Sequence, residues 1–167
     1  MKRLDELLQM ARERRVGFRI DEVMSGTHTF EPGCGPTGRL PMQFRVTWGH
    51  PHLAAFANPL GDQFGRATLD GTVSIDFLCQ DAPCQGSFEL KYLSEHAIRY
   101  TFEFEANGNR YRYVGEKVNI WPWNLPVSHT TCFGTLVEAA SGKLISRSVL
   151  HFRMSTMLPF VASLRLA

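Results

Sequence analysis

The sequence predicts a mainly β protein, an antiparallel up-and-down β-barrel with a helix near each end of the chain. From Gly71 onward, apolar and polar residues alternate with a period of two, and turn residues separate the alternating segments. No long helical pattern interrupts the middle of the chain, which excludes a parallel α/β sheet. Strands with one apolar face must bury those faces together, and a closed barrel does so without leaving exposed edges. A two-layer sandwich is the alternative.

The helical patterns lie at the ends of the chain. Residues 2–14 carry apolar side chains at helical spacing and form the predicted N-terminal helix. Residues 155–166 form the predicted C-terminal helix, with a hydroxyl residue at its start as a cap. Between them, residues 31–41 are predicted to be a loop, because this segment is crowded with Gly and Pro. A short apolar segment before Asn58 predicts a helical turn.

The predicted strands share a pattern in which one face is apolar and the other polar. They are 16–24, 42–48, 73–77, 88–92, 98–104, 110–118, 130–138 and 144–153. Turns are expected at Asp81–Pro83, at Ser94–His96 and at Asn107–Gly108. The spacing of strands and turns is typical of an antiparallel meander.

The best-defined hairpin surrounds Asn107 and Gly108. Asn-Gly between two alternating segments favours a type I′ turn, in which both central residues have positive φ. A two-residue loop here places Phe104 opposite Tyr111 and Phe102 opposite Tyr113. The same register pairs acidic with basic residues on the other face, so the aromatic face is predicted to point inward.

Composition limits the classes of function. The 167 residues fit one domain spanning 1–167. A hydrophobic content of 44% with 20% charged residues excludes a disordered chain, and a net charge of +2 argues against nucleic acid as a partner. No apolar stretch approaches the roughly 20 residues of a membrane span. Acidic residues occur where a signal peptide would be apolar, so a cytoplasmic location is expected.

The four cysteines predict free thiols rather than a metal site. In a reducing compartment Cys34, Cys79, Cys84 and Cys132 are expected to be small apolar side chains. Their spacing lacks the two close pairs of a structural zinc site, and a Cys79–Cys84 bridge is the alternative. No dinucleotide fingerprint or phosphate-loop motif occurs, so no cofactor is predicted.

Turn glycines and inward aromatic residues give the sequence a family resemblance. The residues concerned are Phe18, Glu22, Met24, Gly26, Gly71, Gly86, Phe88, Leu90, Tyr100, Phe102, Phe104, Gly108, Tyr111, Gly115 and Lys117. With this spacing the chain resembles a lipocalin-like (calycin) barrel domain, the accessory domain of cholesterol-oxidase-like (GMC-type) flavin oxidoreductases. The resemblance implies a barrel that binds an apolar ligand or serves as an accessory module, and it carries over no catalytic residues.

Histidines are the main candidates for chemistry. His50 and His52 would point the same way on an extended segment, but a metal site needs a third ligand and Pro51 favours a turn, so no metal is predicted. A histidine on or beside a strand becomes an acid–base candidate only if it meets a carboxylate in an apolar cavity. The histidines concerned are His28, His129 and His151, and the carboxylates are Glu22, Glu116 and Glu138. No catalytic residue is assigned.

The favoured function is binding of a small, mostly apolar ligand, lipid-like or sterol-like, inside the barrel without catalysis. The candidate ligand-binding residues are Phe18, Phe88, Leu90, Tyr100, Phe102, Phe104, Tyr111 and Tyr113, with Trp121 and Trp123 at the mouth. For both groups of residues a purely structural interpretation stays open. The inward aromatic side chains would then fill the core, and the tryptophans would only pack their loop against the barrel. The alternatives are an interaction module for an oxidoreductase or a second copy of the chain, and an enzyme using acid–base chemistry.

Overall fold

The protein forms a closed barrel of eight antiparallel strands, with a short ninth strand added to the first. The computed structural model describes Asp5, Gln9 and residues 16–121, 130–152 and 165–166. The strands are β1 (Phe18–Phe30), β2 (Leu40–His50), β3 (Arg66–Ile75), β4 (Cys79–Lys91), β5 (Ala97–Ala106), β6 (Asn109–Lys117), β7 (Thr131–Glu138), β8 (Leu144–Phe152) and β9 (Arg165–Leu166). Two short helices are α1 (Leu53–Ala57) and α2 (Tyr92–Glu95).

Each strand pairs with the next along the chain, and β8 pairs with β1 to close the barrel. This arrangement confirms the predicted mainly β, up-and-down architecture. Strand β1 is long enough to pair with β2 over Phe18–His28 and with β8 over Met24–Phe30. No helix in the described part of the chain has the length and apolar character needed to cross a membrane.

The β5–β6 hairpin has the predicted register. Phe104 faces Tyr111 and Phe102 faces Tyr113, and Asn107 and Gly108 both have positive φ, at 52° and 79°. On the water-facing side, Arg112 lies 2.8 Å from Glu103. The aromatic side is buried, so the type I′ turn and the alternating pattern together set which face points inward.

Two local expectations are wrong. Phe77 does not end an inward-facing strand: β3 stops at Ile75, and Phe77 adopts φ of 64° in a turn where 69% of it is exposed. The turn therefore spans residues 76–78, and Asp81–Pro83 belongs to β4. The register of the β3–β4 pairing shifts between Val73 and Ile75, just before this turn.

The terminal helices are only partly tested. Asp5 and Gln9 are helical, and the rest of the predicted helix over 2–14 lies outside the described residues. The predicted C-terminal helix does not reach residue 166, because Arg165 and Leu166 pair as strand β9 with Arg19 and Phe18. That part of β1 extends beyond its pairing with β8, so its backbone is free to accept β9. Residues 153–164 lie outside the described part.

The up-and-down topology gives the barrel two unlike ends. We call the end with the four connections 31–39, 76–78, 107–108 and 139–143 the turn end. We call the other end, which carries α1, α2 and the β6–β7 connection, the loop end. Along the strands, buried side chains alternate with exposed ones, as the pattern Phe18, Ile20, Glu22, Met24 on β1 illustrates. The inward residues of the eight strands meet in one continuous core.

Candidate functional site

The predicted ligand-binding residues on the strands all lie on the inward face. Leu90 is half-buried, and the other seven are buried: Phe18, Phe88, Tyr100, Phe102, Phe104, Tyr111 and Tyr113. Trp121 is half-buried beyond the end of β6. Trp123 lies outside the described residues. The described members of the predicted set on the strands therefore line the interior, some toward one end of the barrel and some toward the other.

Aromatic rings fill the half of the interior toward the turn end. Phe44 packs on Phe102 and Tyr113, with ring centroids 5.4 and 5.9 Å away, and Phe104 stacks on Tyr111 at 5.6 Å. The Tyr113 ring lies over Gly134, where a Cβ atom would come within 2.1 Å of the tyrosine hydroxyl. Gly134 thus makes room for this ring, and the turn-end half is a packed core.

The polar groups of the turn-end half are neutral and paired. His28 Nδ1 lies 3.0 Å from Ser146 Oγ, and His28 Nε2 lies 3.2 Å from the carbonyl oxygen of Asp76. Tyr113 and Ser148 share a hydroxyl–hydroxyl hydrogen bond of 3.0 Å. Burial lowers the pKa of His28 and so favours its neutral form. His28 meets no carboxylate side chain in these hydrogen bonds and lacks the partner of an acid–base pair.

The half toward the loop end instead contains a buried ion pair. Lys117 Nζ donates a hydrogen bond to Glu22 Oε1 at 2.6 Å, and each side chain is only 4% exposed. The single Tyr100 O–H donates to the Glu22 carboxylate, and the hydroxyl oxygen lies 3.0 and 2.9 Å from the two carboxylate oxygens. Trp48 Nε1 donates to Glu22 Oε2 at 3.1 Å. We call Glu22, Lys117, Tyr100 and Trp48 the charged cluster.

Each member of the charged cluster comes from the inward face of a different strand. Glu22 follows Phe18 and Ile20 on β1, and Lys117 follows Tyr113 on the same face of β6. Burial, and then the neighbouring Glu22 carboxylate, raise the pKa of Tyr100 well above its usual value. The phenol therefore stays protonated and donates to Glu22. Stacking of Trp48 on Phe88, with centroids 4.0 Å apart, holds the indole in place.

Glu22 accepts hydrogen bonds from three side chains, whereas Lys117 has N–H donors without an acceptor among the described residues. Among the residues that the structure describes, Glu22 is the hydrogen-bond acceptor for Lys117 Nζ. An ammonium group has three N–H donors. Two ring faces of described residues also lie near Lys117 Nζ, with the centroids of Tyr100 and Phe152 at 5.2 and 5.8 Å. These faces stabilise the positive charge by cation–π attraction but replace a hydrogen-bond acceptor only weakly. Lys117 can thus bind a further acceptor.

A buried polar atom without a hydrogen-bond partner among the described residues also lies at the loop end. His96 Nδ1 is buried and has no hydrogen-bond partner among the described residues. The imidazole stacks on Trp121 with centroids 3.7 Å apart, and the His96 backbone adopts φ of 48° at the end of α2. The carbonyl of His96 accepts a hydrogen bond from Ile120, which ties the β6–β7 connection to α2. Trp121 therefore lies at the loop end, and its role at the mouth of a ligand site stays a prediction.

The remaining candidates make ordinary surface or core contacts. His50 Nδ1 accepts a hydrogen bond from the His52 backbone, and within the described residues no group of three side chains could hold a metal ion. His151 is exposed beside Thr131, and His129 lies outside the described part. The four cysteines are free thiols, which excludes the Cys79–Cys84 bridge. Burial raises the pKa of Cys84 and of Cys132 to about 12, so neither is a ready nucleophile.

Two cavities bounded by described residues lie outside the barrel interior. A groove of about 1060 Å³ runs over β3 to β6 among outward-pointing residues such as Asp70, Gln85, Glu103 and Arg112. A smaller one of about 400 Å³ lies at the loop end between Phe64, Arg66 and Leu93. Both have charged linings in part, with Glu103 and Arg112 already paired across the larger groove. Neither resembles the apolar, convergent site that a lipid-like ligand requires.

No sequence pattern indicates Lys117 as a site residue, and Glu22 is predicted only as a conditional partner of a histidine. The orientation of Lys117 could have been found, because it follows Tyr111, Tyr113 and Gly115 at every second position of β6. Its contact with Glu22 could not, because β1 and β6 are not neighbours in the sheet. Searches among protein-family models, curated proteins and solved structures find no match to this chain.

Proposed function

We propose that the barrel binds a small, mostly apolar ligand in its loop-end half, with a polar end against Lys117. The observation that carries this proposal is the buried ammonium group with one hydrogen-bond acceptor among the described residues. Buried donors in proteins are nearly always paired, so unused donors in an apolar barrel suggest an acceptor supplied from outside. An eight-stranded barrel is wide enough to hold one small ligand.

The contrast between the two ends supports this location. The turn-end half is packed by stacked rings. The loop end carries the two longest connections, residues 51–65 and 118–130. There Phe18 and Phe88 pack against Trp48 of the charged cluster and offer aromatic surface beside it. Apolar surface with a few fixed polar groups is the usual composition of a small-molecule site.

The acid–base alternative receives less support. It requires a histidine facing a carboxylate inside the barrel, and His28 meets Ser146 and a backbone carbonyl instead. Accordingly, ligand binding without catalysis is the function that we propose. Whether the chain also serves an oxidoreductase as a lipocalin-like module is a separate hypothesis suggested by the sequence resemblance.

The test is a titration with the neutral apolar fluorophore N-phenyl-1-naphthylamine, beside native mass spectrometry for a co-purified ligand. We expect saturable binding of one probe molecule. Leu90→Trp, which adds bulk on the inward face next to the Lys117 region, should weaken it. Val149→Trp adds the same side chain at an exposed position on β8 and should leave it unchanged. Absence of saturable binding, or equal effects of the two variants, would overturn the proposal.

A further inference from the structure

The charged cluster carries no net charge. The buried side chains of the described residues include one carboxylate, Glu22, and one ammonium, Lys117, in direct contact. Burial lowers the pKa of His28, the third ionisable side chain among the buried polar residues, and so favours its neutral form. Any ionised group that enters this site would therefore add an unbalanced charge to a place shielded from water.

The Glu22 carboxylate already accepts from three side chains of the cluster. Glu22 Oε1 accepts from Lys117 and Glu22 Oε2 accepts from Trp48, while the one Tyr100 proton lies between the two oxygens. A carboxylate has about four lone-pair positions, so three donors leave little room for another. Among the described residues, Lys117 keeps N–H donors without an acceptor. A ligand whose polar end is only a donor would meet the already bonded Glu22, whereas a ligand with an acceptor would meet the unused donors of Lys117.

We infer that the site selects an uncharged ligand whose polar end is a hydrogen-bond acceptor: a carbonyl, hydroxyl or ether oxygen on an apolar skeleton. This inference rests on the proposed function, because it specifies the ligand class of the same site. A carboxylate would lose its hydration without finding an unpaired cation, since Glu22 already neutralises Lys117. An alkyl ammonium would place a second positive charge beside Lys117 in a buried site. A plain alkane would leave the Lys117 donors unused.

A series of ten-carbon compounds tests this selectivity by displacing N-phenyl-1-naphthylamine at pH 7.5. The series comprises 2-decanone, decan-1-ol, decanoate, decylamine and decane, each below its aggregation limit. We expect the ketone and the alcohol to bind at least about tenfold more tightly than the other three, the difference made by about one hydrogen bond to a charged donor. Equal or tighter binding of decanoate would overturn the inference.

Glu22→Gln sharpens the test because it removes the negative charge while nearly preserving the side-chain shape. Lys117 is then unneutralised, so the ratio of decanoate to decan-1-ol affinity should rise about tenfold or more. Glu103→Gln removes a carboxylate from the outer face of β5 and should leave that ratio unchanged. An unchanged ratio in a folded Glu22→Gln protein, verified by circular dichroism, would contradict the inference. If that variant does not fold, the wild-type series alone decides between the two outcomes.

The two proposals fail in different ways. If the neutral probe does not bind the wild-type protein, the proposed ligand-binding function is wrong, and the compound series has no site to report on. If the probe binds but the compounds are ranked by apolar area alone, ligand binding stands and the charge-neutral selectivity is wrong. If decanoate ranks first, Lys117 acts as an anion site despite its contact with Glu22.

Discussion

The two halves of the barrel interior contain different kinds of buried polar group: hydrogen-bonded neutral side chains toward the turn end and an ion pair toward the loop end. Toward the turn end, His28 and Tyr113 are neutral and are paired with serine hydroxyls. Toward the loop end, Glu22 and Lys117 bring two charges out of water, and Lys117 is only partly paired. Neutral, fully paired groups are compatible with a purely structural core, whereas a buried ion pair is seldom favoured for stability alone. The comparison therefore separates a half that holds the fold from the half in which we propose that a ligand binds.

We expect the largest loss of unfolding free energy from a substitution in the turn-end half. Phe102 is fully buried between Phe44 and Tyr113, so Phe102→Ala should lower the free energy of unfolding by about 3–5 kcal/mol. Urea denaturation measures this loss. A variant that unfolds at the same urea concentration as the wild type would show that the ring is not part of a packed core.

Removing one partner of the Lys117–Glu22 ion pair should lower the free energy of unfolding by a similar amount. A second substitution that removes the other charge should restore most of this stability. Lys117→Met leaves the Glu22 carboxylate buried without its counter-ion, which we expect to cost about 3–5 kcal/mol of unfolding free energy. The double variant Glu22→Gln, Lys117→Met removes both charges and should recover most of that loss. If the double variant is less stable than Lys117→Met alone, the pair does not behave as a buried ion pair.

A smaller, pH-dependent effect should distinguish the neutral turn-end half. Because burial lowers the pKa of His28 below its unfolded value of about 6.5, the unfolded chain binds a proton that the folded chain resists. Stability contributed by His28 is therefore fully present above about pH 6.5 and falls as the pH drops below it. His28→Gln should flatten the pH dependence of unfolding in that window. His151→Gln, at an exposed site, serves as the control, and equal slopes in both variants would refute the assignment.

We expect the smallest change in unfolding free energy from a substitution on the outer face of the barrel. Glu103 and Arg112 are 2.8 Å apart, with side chains 35% and 50% exposed. Glu103→Gln should change the unfolding free energy by about 0–1 kcal/mol, because water screens the pair. Thermal denaturation is sufficient to measure it. A loss comparable to that of Phe102→Ala would mean that charge pairs, rather than buried rings, hold the hairpin.

The sequence predicts the fold better than the site. Strand pairing in a hairpin depends on residues close together in the chain, whereas the site depends on contacts between distant strands. Asn107 and Gly108 fix the β5–β6 register by local backbone geometry, and strict alternation then orients Tyr111 and Tyr113. The exposed Phe77 shows the limit of alternation, since the pattern continues past the residue at which pairing stops. The meeting of Glu22 with Lys117 depends on closure of the whole barrel, which no local pattern encodes.

The most direct test of the account is the infrared carbonyl band of ¹³C-labelled 2-decanone bound to the protein. A hydrogen bond from the Lys117 ammonium group should shift the carbonyl stretch to lower wavenumber than in an alkane solvent. In the folded Glu22→Gln, Lys117→Met variant, the band of the bound ketone should return toward its alkane position. The same band position in both proteins, or no bound ketone in the wild type, would contradict the claim that Lys117 holds the polar end of a ligand.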